Sequence, residues 1–350
     1  MTNRAYAVRP SPRRLEHRHT FPCFGGECTV IVADEARPGD AAAAATMARR
    51  ALLVWHRRFS RFRDDSELSR LNRDSRRSVP VSPLMRRAIE VSLRAARDTG
   101  GLVDVTLGTE IERAGYADHR DPATAPALGP ALPRTAAAPH LDERWRQIHI
   151  DPRAGAVVRP PGLRIDLGGI AKGLFADELA GMLGGFDAYV VDCAGDLRVG
   201  GRARLPRPVH VTSPFDASAI ETWTAVDGGI ATSGIGRRSW TRADGRPAHH
   251  LLDPRTGEPA FTGVVQATAL APTAGEAEVL AKAALLSGPQ RAAEWLTRGG
   301  LIVTDDGTYE RVAPAGSPAE ARARSDSQPI TSSSTASRSG SFRISWKRPG

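Results

Sequence analysis

At 350 residues, 41% of them hydrophobic, the chain can bury a substantial core as one large domain or two ordinary ones. No apolar run reaches membrane-spanning length and Met1 to Thr20 is polar and Arg-rich, so neither membrane insertion nor a secretory signal is expected. Three cysteines, few and odd in number, imply no disulfide framework, which makes a reducing cytoplasm the expected location. A net charge of +9 would suit nucleic acid, but the arginines between Arg49 and Arg97 are threaded through helix-spaced apolar residues with few aromatics and no groove-reading motif. A solvated basic face is therefore expected, with no nucleic-acid partner.

Taken in order, residues 1–20 read as a disordered tail and Thr29 to Ala33 as a strand. Asp40 is placed to cap a helix carrying Met47, Leu52, Trp55 and Phe59 at helical spacing. A second helix starts at Ser82-Pro83, with serine as cap and proline in the first turn, and stops at Gly100-Gly101. Leu102 to Thr106 alternates like a strand with Asp104 facing away from its apolar neighbours. Residues 119–141 form a Pro/Ala-rich surface loop. A hairpin pairs Gln147 to Ile150 with Ala156 to Arg159, and Gly168-Gly169 leads into a helix from about Ile170 to Leu183, then a strand over Ala188 to Asp192. Strands recur near Val209, Thr222 and Val264 to Leu270. The last strong helix opens with Thr273-Ala-Gly-Glu276, a capping box, and ends at Gly288-Pro289, before a hairpin turning at Asp305-Asp306-Gly307. Residues 21–313 thus form the folded domain, of mixed α and β (α+β) class, and 314–350, rich in Ser, Arg, Ala and Pro, a disordered tail.

Of 48 basic residues only Lys172, Lys282 and Lys347 are lysine, and the first two sit among glycine and alanine. Where arginine serves as the generic cation, a retained lysine suggests a site that needs a compact ammonium. Around Lys172, a strand ending at Asp166, two glycines and a helix start leave backbone N–H groups free for an anion, although a plain strand-to-helix connection fits the same residues. Glu278 and Lys282 stand four apart on a helix apolar nearly all round. They are either an exposed pair contributing about 0.3–0.5 kcal/mol or groups facing a polar pocket, where a carboxylate near phosphate could hold Mg2+. Thr232 and Ser233 beside Gly234 offer hydroxyls to phosphate, and His249-His250 can place one imidazole near them. Asp253-Pro254 with Gly257 equally satisfies a turn.

In this order the stretches Phe59-Ser-Arg-Phe62, Asp65 to Asn72, Thr99-Gly-Gly-Leu-Val-Asp-Val-Thr106, Asp166-Leu-Gly-Gly-Ile-Ala-Lys-Gly173, Asp192-Cys-Ala-Gly-Asp196, Ala231-Thr-Ser-Gly234, His250-Leu-Leu-Asp-Pro-Arg-Thr-Gly257 and Ala277-Glu-Val-Leu-Ala-Lys-Ala283 resemble the ApbE family of FAD:protein FMN transferases. The resemblance spans about Phe21 to Val312. It implies strands and helices around a central FAD cleft, cleavage of FAD with Mg2+, and transfer of FMN to a threonine or serine of a target protein with release of AMP. Hydrolysis of FAD to FMN and AMP, or FAD binding without turnover, are the related alternatives; a nucleic-acid-binding protein is the remote one. By position, the resemblance makes Phe62 a stacking partner of the flavin, with Phe24 where a methionine is usual. It gives FAD contacts to Leu102, Val103, Asp104, Asp166, Lys172, Thr232, Ser233, His250 and Leu251. His250 or Asp253 would assist the hydroxyl nucleophile. Gly169 would offer its carbonyl to the metal with Glu278, and Lys282 stands where a threonine ligand is expected. Lysine has only donors and cannot ligate a cation.

Overall fold

The computed structural model describes residues 16–118, 125–128, 133–316 and 328–329. The chain opens with a hairpin, β1 (Glu16–Cys23) and β2 (Gly26–Ala33), followed by α1 (Pro38–Phe59), α2 (Glu67–Arg73), β3 (Ser78–Pro80), α3 (Pro83–Asp98) and α4 (Gly108–Arg113). A 3-10 turn at Arg144–Gln147 leads to β4 (His149–Asp151), β5 (Ala156–Val158), α5 (Ala171–Leu183), β6 (Ala188–Cys193) and β7 (Asp196–Gly200). The remainder holds β8 (Arg207–Thr212), β9 (Ala219–Ala225), β10 (Gly228–Gly234), β11 (Ser239–Thr241), β12 (Pro247–His249), β13 (Val264–Ala271), α6 (Ala274–Ser287), α7 (Ala292–Trp295), β14 (Gly300–Thr304), β15 (Thr308–Val312) and β16 (Gln328–Pro329).

Nine strands make one sheet in the order β1-β2-β6-β7-β10-β13-β14-β15-β16, each neighbouring pair antiparallel. Helices pack on this sheet instead of alternating with parallel strands, which is the α+β arrangement. On one face α1 lies over β1 and β2, α5 over β6 and β7, and α6 over β10 and β13. The buried stripe of α1, Ala41, Ala45, Ala48, Leu52 and Phe59, meets Phe175, Leu179 and Leu183 of α5 in the largest core cluster. The β8–β9 hairpin brings Val209 and Trp223 against Leu197 and Ile230 elsewhere on the sheet.

Two short helical contacts set where the site will be. A Cβ on Gly173 would lie 2.6 Å from the Ala274 carbonyl oxygen, so only glycine lets α5 and α6 touch here. Asp177 of α5 then accepts hydrogen bonds from Ala274 N (2.9 Å) and Gly275 N (2.8 Å), while Thr273 Oγ1 accepts from Glu276 N at 3.1 Å. The α6 N-terminus is thereby capped from its own chain and from its neighbour, fixing the two helix starts side by side.

Several expectations need correction. Residues 16–20 belong to β1, whose outward side chains gave a tail-like composition because the strand is at the sheet edge. The strand expected at Thr29 begins at Gly26, after a turn with Phe24 and Gly25 at φ of 53° and 70°. Arg37, not Asp40, precedes α1; Pro38 takes the first turn, and Asp40 lies within it, where a carboxylate suits the helix dipole. Leu102 to Thr106 is no strand. Thr99 Oγ1 accepts from Val103 N (3.0 Å) and Asp104 Oδ1 from both Thr106 N and Thr106 Oγ1 (2.7 Å each), so local side chains replace the ladder. Of the 119–141 segment, 125–128 and 133–141 are described, carry neither helix nor strand and are half-buried or exposed, Leu141 at 88%, as a surface loop is; Ala137 N ties it to the body by donating to Leu286 O at 2.9 Å. The rest of that segment, residues 1–15 and most of the C-terminal tail lie outside the described residues.

Candidate active site

A cleft of about 1280 Å³ opens where α5, α6 and the ends of β7 and β10 meet the loop after α3. It exceeds the roughly 300–1,000 Å³ of pockets for drug-sized ligands, as a dinucleotide requires. Phe24, Phe62, Leu102, Val103, Asp104, Asp166, Gly169, Lys172, Thr232, Ser233, His250, Leu251, Glu278 and Lys282 all line it. Only Asp253, among the expected site residues, does not. Its carboxylate accepts from Ala138 N and Arg255 N at 3.0 Å each and pairs with Arg255, which makes it the organiser of a turn and removes it from the chemistry.

At the centre the two small-residue segments interlock. Glu278 Oε2 accepts from Gly173 N at 2.9 Å, and Lys282 Nζ donates to Gly169 O at 3.1 Å. Lys172 pairs closely with Asp196 at the start of β7. Not all backbone amides of the glycine turn are available to an anion. Gly168 N donates to Asp166 Oδ1 (2.6 Å), Ile170 N and Ala171 N to Leu167 O, and Gly173 N to Glu278. The amides of Gly169 and Lys172 have no hydrogen-bond acceptor among the described residues, and they stand at the N-terminus of α5, where negative charge is favoured.

The charges perturb one another. Burial, then the nearby Asp196 carboxylate, pushes Glu278 up to about 7, against the pull of Lys172 and Lys282. Burial holds Lys282 below the usual lysine range, although Glu278 and Asp196 favour its charged form. Burial also works to lower Lys172, but the attraction of Asp196 and Glu278 outweighs it and its pKa is raised. His250 lies well below the ordinary imidazole value through burial and the positive charges of Arg238, Lys282 and Lys172, so the ring is neutral. Its Nδ1 is buried without a hydrogen-bond partner among the described residues.

An aromatic wall completes the site. Phe62, 39% exposed, meets Tyr116 edge-on with centroids 5.4 Å apart, and Tyr116 stacks on Trp240 at 5.4 Å. The Arg61 guanidinium lies 4.3 Å over Phe62 and 4.6 Å over Tyr116, with Nε 3.2 Å from Asp166 Oδ2. Phe24 packs on Phe175 and His56, and its carbonyl accepts from Arg238 Nη2 at 2.8 Å. Thr232 Oγ1 is hydrogen-bonded with Thr268 Oγ1 at 2.9 Å. Asp104 keeps Oδ2 buried and unpartnered among the described residues, and burial raises its pKa despite the Thr106 hydrogen bonds. Sequence reasoning missed Asp196, Arg61, Tyr116 and Arg238 as site residues. Asp196 was legible only within its motif, and single arginines cannot be picked from a chain so rich in them.

The residues assigned to a metal do not fit one. The Gly169 carbonyl receives an ammonium, and Lys282 itself has only donors, which leaves Glu278 alone of the assigned set able to ligate a cation. Lys282 is thus no ligand but an occupant of the same position.

The ApbE family model matches residues 24–303. The chain is 32% identical over 257 residues to a Klebsiella pneumoniae protein named FAD:protein FMN transferase, covering 71% of this chain and 72% of that one. An Escherichia coli K12 protein of the same name is 31% identical over 255 residues, covering 70% and 71%. The crystal structure of the ApbE protein of Thermotoga maritima superposes with a TM-score of 0.70 at 25% identity, covering 85% of this chain and 97% of that one. A Vibrio cholerae flavin transferase ApbE shares the fold at a TM-score of 0.65 and 24% identity, over 86% and 98%. By sequence match, fold and cleft alike, the chain belongs to the ApbE family.

Proposed function

We propose that the chain is an FAD:protein FMN transferase that attaches FMN to a threonine or serine of a target protein. The observation that carries this reading is the junction of α5 and α6, where Lys172, Lys282 and the amides of Gly169 and Lys172 line one cleft large enough for a dinucleotide. FAD would place its isoalloxazine against Phe62 and Tyr116 and its diphosphate at that junction. The acceptor hydroxyl oxygen attacks the phosphorus on the FMN side, a P–O–C ester forms, the bond to the AMP phosphate breaks, and AMP leaves with the electron pair. Little covalent chemistry falls to the protein, so positioning and charge carry the rate.

Each part has a role that follows from its surroundings. The Lys172 and Lys282 ammoniums and the α5 N-terminus stabilise charge developing on the leaving phosphate, and they do so strongly because the site is buried. Neutral His250 can accept the hydroxyl proton. Bound diphosphate, being anionic, offsets the cations that disfavour its charged form and makes it a better base as substrate arrives. Thr232 and Ser233 offer hydroxyls to the phosphate oxygens. Since the metal residues do not fit, magnesium is assigned no step. We keep a reducing cytoplasm as the setting because Cys23, Cys28 and Cys193 are buried free thiols; among the described residues no helix is long and apolar enough to cross a membrane.

Incubation with FAD and an acceptor protein bearing exposed threonine and serine should yield AMP and an acceptor heavier by one FMN phosphoester, in equal amounts. AMP without a mass gain would make the chain a hydrolase; neither product with bound FAD would make it a carrier.

A further inference from the structure

Three observations converge on Lys282. It is one of three lysines in the chain, and its α6 carries it to Lys172, the second, at the same cleft. Its Nζ donates to Gly169 O at 3.1 Å. And a Cβ on Gly169 would lie 2.7 Å from Lys282 Cε and 3.2 Å from Nζ, so the glycine is the space through which this side chain passes. The lysine is seated in a built groove and its charge is fixed at the mouth of the α5 N-terminus.

A divalent ion at this place would meet two ammoniums, Lys172 and Lys282, and the Arg238 guanidinium across the cleft, against Glu278, whose Oε2 already receives Gly173 N–H, and Asp196, already paired with Lys172. Three cations thus face two carboxylates that already have partners, so the site carries excess positive charge before any ion arrives. An ammonium is compact and presents three donors, one on the Gly169 carbonyl and two left for phosphate oxygens, where arginine presents a planar fork.

We propose that the Lys282 ammonium is the resident cation of this active site, and that the chain binds and cleaves FAD without a divalent metal. The inference rests on the flavin-transferase reading only for the identity of the substrate. Lys282 neutralises the diphosphate and the leaving AMP, and Gly169 is its partner residue.

The test uses the full chain stripped with EDTA, measuring FAD affinity by flavin fluorescence and, with an acceptor protein bearing exposed threonine and serine present, AMP release by chromatography, in EDTA or in millimolar Mg2+. Both quantities should agree within about threefold between the two conditions, and Lys282→Thr should lose about tenfold or more of its FAD affinity in EDTA, a loss of the size expected for one buried charge on phosphate. Mg2+ should recover part of that loss, a switch that a merely structural lysine would not produce. Wild-type FAD affinity that collapses in EDTA and returns with Mg2+ would overturn the proposal, as would tight binding of Mn2+ to the FAD-free protein seen by its EPR signal. Should Lys282→Thr fail to fold, the wild-type EDTA comparison decides alone. FAD affinity independent of metal with no AMP in either condition supports the role of Lys282 while defeating the transferase reading, so the two fail separately.

Discussion

Single residues carry most of what is specific to this site. His249, 1% exposed, is held at about 3 by burial and packs edge-on against Phe261, with Nδ1 accepting from Leu251 N at 3.3 Å. Because its folded-state value lies below the unfolded one, the unfolded chain binds the extra proton, and stability falls as pH drops from about 6.5 toward 3. Asp192, pushed up to about 7 by burial, has the opposite slope between about 4 and 7, since there the folded state holds the proton. The whole-protein profile mixes the two, so the histidine is read by difference. Denaturant unfolding of wild type and His249→Asn should diverge by about 2 kcal/mol between pH ~7 and pH ~5, the wild type losing more. A gap that stays constant over that range contradicts the assignment. At the cleft wall, Phe62→Ala should weaken FAD binding about tenfold through lost stacking, with an unchanged melting temperature because the ring is half-exposed; equal binding in an equilibrium titration would remove the ring from the flavin site.

At the scale of elements, the active site is a consequence of how α5 and α6 start. Gly173→Ala drives a methyl group into the Ala274 carbonyl, and the helices must separate by some tenths of an ångström. A destabilisation of about 1–3 kcal/mol is expected, with a loss of FAD affinity larger than that of surface variants of equal stability. Asp177→Ala should cost about 1–2 kcal/mol by uncapping two α6 amides, read as a drop in urea midpoint at constant m-value. These element starts were the most legible part of the sequence. Ser82-Pro83, Thr273 to Glu276 and the Gly168-Gly169 turn announce themselves by chemistry that acts over three or four residues, and each appears where expected. The loop from Leu102 to Thr106 did not, because apolar alternation is shared by strands and by loops whose every second residue is buried against something else. Here Asp166 N reaches Val105 O at 2.9 Å, a contact across some sixty residues that no local pattern encodes.

At the scale of the whole molecule, the nine-stranded antiparallel sheet was only partly visible beforehand. β1 hides as a polar edge, and β10 carries Ala231-Thr-Ser-Gly234, small residues chosen for the cleft and weak as a strand signal. The ordered motifs did indicate which segments share the cleft, and the fold brings them together with Asp253 alone left outside. What the motifs could not show was the pairing of Lys282 with Gly169, since it depends on the crossing of two helices more than a hundred residues apart. The central claim is that one diphosphate meets both helix starts. A crystal structure of the chain with FAD tests it most directly: the account predicts the diphosphate within hydrogen-bond reach of Lys172 and Lys282 and the isoalloxazine against Phe62. FAD bound outside this cleft, or with its diphosphate turned away from the α5 N-terminus, would contradict it.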